Sequence, residues 1–235
     1  MGRRHGGNLI YRKIFGLLGV GALLVVVYGA LSNRAAAGWV LAASAAQSAE
    51  KMALPAPGAY KVDANHRFAY FGARHHVVGL VRGRFDKIAG TIHAAREPGE
   101  CSVDITIDVA SISTQNTKRD EDLQGPDYFD LKKFPAMIYR GHGVRRGPGD
   151  TWIMDGSLTM HGVTKMVPLS FTFNGLFPNM PADQPARVAF HGTTGVKRAE
   201  FGMGARDNLD ELGSSSAPDV EIEIDVEADA SAPAK

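Results

Sequence analysis

A chain of 235 residues has room for one sizeable domain and a leader or tail. Its 26 Lys and Arg balance 25 Asp and Glu to a net charge of +1, without the concentrated basic excess of a nucleic-acid binder, so nucleic acid is excluded as a partner. The lone cysteine, Cys101, excludes an internal disulfide and a multi-cysteine metal site, and its apolar strand context predicts a buried, inert thiol.

Arg3, Arg4, Arg12 and Lys13 precede an uncharged, mostly apolar run from Ile14 to Leu31, IFGLLGVGALLVVVYGAL. As a helix this run spans about 27 Å, just short of a bilayer core. The cations before it, with only Arg34 soon after, predict a cytoplasmic N-terminus and an exported remainder. Small-x-small sites follow, such as Ala43-Ser44-Ala45. Residues 1–55 therefore read as a signal peptide or membrane-anchor helix plus linker. The expected location is the periplasm, reached by export or by tethering to the inner membrane.

From Tyr60 onward the period changes to two. Gly79/Val81/Gly83/Phe85, Ile88/Gly90/Ile92/Ala94 and Cys101/Val103/Ile105/Ile107/Val109 give the first runs. Trp152/Met154/Gly156/Leu158/Met160, Val167/Leu169/Phe171/Phe173, Ala186/Val188/Phe190 and Val220/Ile222/Ile224/Val226 give the later ones. Each has one apolar and one mostly polar face, which predicts antiparallel strands wetted on one side. REPGE, RRGPGD and FPNMPADQP supply the turns. The result is an all-β domain over residues 56–229 of roughly eight strands, as a sandwich or a closed barrel. Inward glycines (Gly79, Gly83, Gly90, Gly156, Gly192) favour a curved, closed sheet. Residues 230–235 read as a frayed tail.

One stretch breaks the alternation: TKRDEDLQGPDYFDLKKFP, Thr117 to Pro135. A calcium loop starting at Asp120 fails, because Gln124 holds its fifth place and Leu131 its twelfth. Acid–base chemistry by Asp120, Glu121 and Asp122 competes with a plain solvated helix turn, given adjacent Lys118 and Arg119. A short helical crossover fits better, its charges facing water while Leu123, Tyr128, Phe129, Leu131 and Phe134 cap an opening. Arg119 and Asp120 are then the polar groups nearest a ligand head, with helix capping the rival role for Asp120. His75 and His76 point to opposite faces of a strand and predict no shared metal. No serine has the context of a nucleophile elbow.

The succession of motifs resembles the YceI-like family of exported bacterial lipid-binding proteins. It runs from YKVDANHRFAYFGARH through GRFDKIAGTI and SISTQNTKRDEDLQGPDYFDLKKFP to GSLTMHGVTKMVPLSF and DVEIEIDVEA. Arg67 after His66, the GPGD hairpin and FPNMPADQP are local departures. The resemblance implies an extended, lipocalin-like antiparallel barrel holding a long isoprenoid or similar amphiphile, with no catalytic residue, metal or cofactor beyond the lipid or quinone. The expected wall is Phe68, Phe71, Phe85, Ile105, Ile107, Phe129, Phe134, Tyr139, Trp152, Leu158, Leu169, Phe171, Phe190 and Phe201. The expected polar groups are His75, Arg119, Asp120 and Arg198. Without the resemblance, the default reading of apolar stripes such as Phe85, Trp152, Phe171 and Phe190 is a filled core. Two competing readings are an enzyme acting on an isoprenoid or quinone through His75, Asp120 or Arg198, and a redox accessory to a membrane b-type cytochrome. A homodimer is the other partnership the reading leaves open.

Overall fold

In the computed structural model, residues 53–75, 79–177, 184–204 and 219–231 are described. All but the last three residues of the predicted leader, His76 and residues 232–235 of the predicted tail lie outside them.

Alternating side chains force each strand to turn one face inward. β1 (Gly58–His75), β2 (Gly79–Phe85), β3 (Ile88–Ala94), β4 (Ser102–Asp108) and β5 (Ile112–Ser113) come first. After α1 (Thr117–Gln124) follow β6 (Ala136–Arg146), β7 (Trp152–Met160) and β8 (Val163–Met166), then β9 (Leu169–Phe177), β10 (Arg187–Lys197) and β11 (Asp219–Ala230). On β7, Trp152, Met154, Gly156, Leu158 and Met160 are buried, and the residues between them are not.

Every pairing is antiparallel, in the order β11-β10-β9-β7-β6-β4-β3-β1. The last pairing decides between sandwich and barrel. β11 returns to β1, from Tyr60↔Ala230 to Ala73↔Val220, and closes an 8-strand barrel. β2 continues the line of β3 along the far half of β1, while β5 extends the edge of β2 and β8 that of β7. Beyond the expected boundary at 229, β11 includes Ala230, and Ser231 N donates to Ala59 O at 2.7 Å.

Strand β6 is absent from the runs read in the sequence. Its register with β7 shifts between Gly141 and Val144, and Gly143 sits at φ 74°. The bulge breaks the parity by which strands are recognised. The inward glycines serve space more than bending. A Cβ at Gly83 would fall 2.3 Å from Phe71 Cζ, and one at Gly156 2.4 Å from Tyr139 Cζ.

Helix α1 starts where the Asn116 side chain accepts from Arg119 N at 3.1 Å, and it stops at Gly125. It has no buried residue, so the chain after it holds it in place. There Phe129 N and Leu131 N bond back to the Leu123 and Gln124 carbonyls. Ile88, Val109, Val188 and Phe201 are buried to 2% exposure or less, each contributing about 1.5–3 kcal/mol.

Candidate functional site

The barrel encloses two adjoining lobes. The narrow one, about 110 Å³, is lined by residues such as Ile92, Val103, Ile105, Met154, Phe171 and Phe190, with Leu54 and the buried Pro55 also on its wall. The wide one, about 370 Å³, is lined by Phe71, Phe85, Phe129, Met137, Leu158 and Met160 among others. Ala69, Ile107, Tyr139, Leu169 and Ile224 line both. They come from β1, β4, β6, β9 and β11, so they form a girdle around the barrel where the lobes meet.

Tyr139 is the largest member of that girdle, and the chain makes room for it. Its ring lies over Gly156. Its hydroxyl donates to Val167 O at 3.1 Å and lies 3.4 Å from Met154 O. Burial, helped by the charge of Asp155, pushes the phenol up to about 12, so it stays a neutral donor at physiological pH.

Acidic and basic side chains are confined to one end. Among the described lining residues, Arg119, Asp122 and Arg198 border the wide lobe, with the exposed Arg74 at its rim on the outward face of β1, and the narrow lobe has no Asp, Glu, Lys or Arg. Arg119 is held from behind. Its Nε donates to Thr114 Oγ1 at 2.8 Å and its Nη2 to Thr114 O at 3.0 Å. Thr114 is itself buried, donating through N and Oγ1 to Asp120 Oδ1 at 2.8 and 2.6 Å. The Arg198 guanidinium lies 5.9 Å from the Tyr128 ring centroid.

The structure thus brings twelve of the expected residues to the chamber, Phe71, Phe85, Ile105, Ile107, Arg119, Phe129, Tyr139, Leu158, Leu169, Phe171, Phe190 and Arg198, while Phe201 lies in the core cluster behind and not on the lining. Phe68 is outside. Ala69 and Phe71 point in, so parity turns Phe68 outward, where it stacks on Tyr70 at 5.7 Å beneath Arg84. Asp120 supports Thr114 instead of lining the mouth, and Asp122 lines it instead. Phe134 packs edge-on against His161 at 5.1 Å, while Trp152 is buried under Arg146 at 3.8 Å. His75 ends β1 opposite Gly79, and its side chain lies outside the described residues.

Residues missed in the sequence fall into two kinds. Met137, Met154, Met160 and Ile224 line the chamber by the same parity as their neighbours. Thr114, by contrast, could be found only from the polar run STQNTKRD just ahead of a helix.

On the outer wall, carboxylates gather beside histidines. Asp63, His66 and Glu227 form one group and His191, Glu223 and Asp225 another, each with ligand atoms within 4.8 Å. A cation already occupies the first. Arg187 Nη1 lies 3.0 Å from Glu227, 3.2 Å from His66 Nδ1 and 3.6 Å from Asp63. In the second, His191 Nδ1 and Asp225 Oδ1 are paired at 2.9 Å.

A UPF0312 protein of Photorhabdus laumondii is 32% identical over 119 residues, which are 49% of this chain and 62% of the relative, so the match spans less than two thirds of that relative. One from Pseudomonas savastanoi is 28% identical over 142 residues, 60% of this chain and 73% of the relative. Among solved structures, a YCEI protein of Campylobacter jejuni aligns with a TM-score of 0.57 at 27% identity, covering 66% of this chain and 88% of its own. A polyisoprenoid-binding domain from Saccharophagus degradans shares the fold with a TM-score of 0.56 at 17% identity, over 73% of this chain and 98% of that domain. The YceI-like domain matches residues 60–228, which is the barrel from the first core residue of β1 to the last of β11, and the chain belongs to that family.

Proposed function

We propose that this protein holds a long-chain isoprenoid or similar amphiphilic lipid inside its barrel, tail in the narrow lobe and head towards Arg119. The observation that carries the reading is the lining: apolar through both lobes, with charge at one end only. Such chains are nearly insoluble, and each buried CH₂ contributes about 0.8 kcal/mol. A lined chamber shields them in water, while a few polar groups fix their orientation. The family has a binding-protein fold and is not a known enzyme family, and the Saccharophagus domain of the same fold binds polyisoprenoid. The role is transport, storage or protection of the lipid in the periplasm. For a quinone ligand, a membrane b-type cytochrome is the proposed partner, tested by co-purification.

Protein purified without detergent is extracted with organic solvent and the extract weighed by mass spectrometry. About one long-chain lipid per chain is expected, unchanged after prolonged incubation. A folded protein that neither carries nor takes up any lipid overturns the reading, and a chemically altered lipid points to an enzyme. A reporter fused after Lys235 should be active only in the periplasm.

A further inference from the structure

We propose that Leu54 and Pro55 form the stopper of the narrow lobe and set the length of apolar tail that the barrel accepts. This rests on the lipid-holding reading and adds the residues that give it length selectivity. Both side chains line the narrow lobe, yet neither belongs to the sheet. Among the other described lining residues all lie on strands except Cys101, which immediately precedes β4. Leu54 packs against the cluster of Cys101, Val144, Trp152 and Met154. That cluster marks the end of the lobe remote from the charged one. Cys101 precedes β4, whose Ile107 lies in the girdle, and Val144 lies beyond Tyr139 on β6. Pro55 is buried and Leu54 partly exposed, with Ala53, Ala56 and Pro57 exposed beside them, so the pair stands between the end of the lobe and water.

The sequence stiffens this segment. In Leu54-Pro55-Ala56-Pro57 each proline fixes its own φ and pushes the residue before it to extended backbone. Less chain freedom is therefore lost when the segment lies across the barrel end. Neither proline has an N–H, so crossing there leaves no donor at those positions to satisfy. Tyr60, buried on β1, pins the segment by donating from its hydroxyl to Ala56 O at 2.7 Å. A tail running from the wide lobe past the girdle meets Leu54 and Pro55 last. Methylenes up to that point exchange water for apolar wall, and those beyond it fold back or stay in water. Affinity therefore climbs with chain length and levels off where the stopper stands. The strands set the width of the narrow lobe, and Leu54 and Pro55 set its depth.

The test uses protein recovered from expression of the full-length chain and stripped of resident lipid. Wild type and variants are incubated with one equimolar mixture of prenols, from geraniol through geranylgeraniol to solanesol, and in parallel with one of n-alkanols. The bound set is extracted and weighed by mass spectrometry. Because all the proteins draw on the same mixture, the differing solubility of the chains cancels in the comparison. Leu54→Ala should move the upper length limit to longer chains, enriching the first chain beyond the wild-type limit at least about fourfold, the value of one further buried methylene. Leu54→Phe should move the limit to shorter chains. Ala53→Ser, on the exposed side, should leave it where it is. Thermal unfolding is followed alongside, since a purely structural leucine would lower Tm without moving the length profile. If Leu54→Ala fails to fold, Leu54→Val serves instead and should move the limit the same way by less. A length profile unchanged in Leu54→Phe and in the folded truncation overturns the stopper and leaves lipid holding intact. A shift to shorter chains on truncation, or an equal shift in Ala53→Ser, overturns it as well. Failure of the wild type to bind any member of either mixture overturns the lipid-holding reading itself.

Discussion

The two lobes share a girdle and a strand set, yet differ in kind. The narrow lobe is walled by strand interiors and the Leu54-Pro55 segment, and its described lining residues include no Asp, Glu, Lys or Arg. The wide lobe has the same apolar wall but takes charge from strand ends and crossovers: Arg74 at the end of β1, Arg119 and Asp122 on α1, and Arg198 at the start of a 3-10 turn after β10. Alternation alone makes a tube with two equivalent ends. The connections give the tube a direction.

That contrast is broken most forcefully by placing charge in the narrow lobe. Phe171→Asp sets a carboxylate among Ile105, Met154 and Phe190, where it must be desolvated or draw water in, at a cost of several kcal/mol. Lipid content measured by mass spectrometry should fall at least about tenfold, with circular dichroism checking that the barrel remains folded. Val81→Asp, on the partly exposed wall of the wide lobe, should cost markedly less. Equal losses at the two sites would erase the distinction between the lobes.

The girdle comes next. Tyr139→Phe keeps the ring over Gly156 but leaves the Val167 carbonyl without the phenol, destabilising the fold by about 1–2 kcal/mol in thermal unfolding. It should also change the alkaline limb. The folded phenol is pushed up from 10.0 to about 12, so its contribution is complete below pH 10 and is lost as pH rises towards 12. Tyr139→Phe should flatten that part of the profile. An unchanged limb would show that the hydroxyl is solvated in solution. Tyr139→Ala removes the largest side chain between the lobes, so longer chains should gain affinity relative to shorter ones.

A smaller effect belongs to the outer wall. β1 shifts register between Val62 and Arg67, and Asp63, His66 and Arg187 stitch the excursion to β11. Burial alone would raise the Asp63 carboxyl. The hydrogen bond from His66 and the charge of Arg187 outweigh it and hold the carboxyl below its usual 3.8. A depressed folded value means the contribution is present above pH 3.8 and lost as pH falls through the folded value. Asp63→Asn should therefore lower Tm near neutral pH and make the acid limb shallower. A parallel shift at all pH values would instead assign Asp63 a charge-independent role.

How much of this was legible depends on what fixes each part. Parity placed Ile105, Ile107, Leu158, Leu169, Phe171 and Phe190 inside, because a one-residue slip would expose the whole apolar set. Applied from Ala69 and Phe71, it also turns Phe68 outward, against the wall that the resemblance implied. Closure was expected from the inward glycines and from the family resemblance, but the pairing that achieves it, Ala73↔Val220, joins opposite ends of the domain and no local pattern encodes it. Strand β6 was hidden by its bulge at Gly143. Asp120 and Asp122 both sit on α1, and only its orientation decides that Asp122 lines the lobe while Asp120 reaches back to Thr114. That orientation is set by contacts from residues 125–134, beyond the reach of helical periodicity over eight residues.

The smallest predicted effect bounds the charged end from its outer side. Lys118 and Asp122 form an exposed i,i+4 pair at 3.6 Å, with side chains 84% and 61% exposed. Such a pair contributes about 0.3–0.5 kcal/mol and is screened by salt. Lys118→Ala should leave lipid content unchanged and shift Tm by no more than a degree or two. Removing this ammonium leaves the chamber wall unchanged, so any loss of lipid affinity should stay within about twofold. A larger loss would move the working charge from the guanidiniums on the chamber wall to the solvent-facing side of α1, and the wide lobe would then differ from the narrow one only in size.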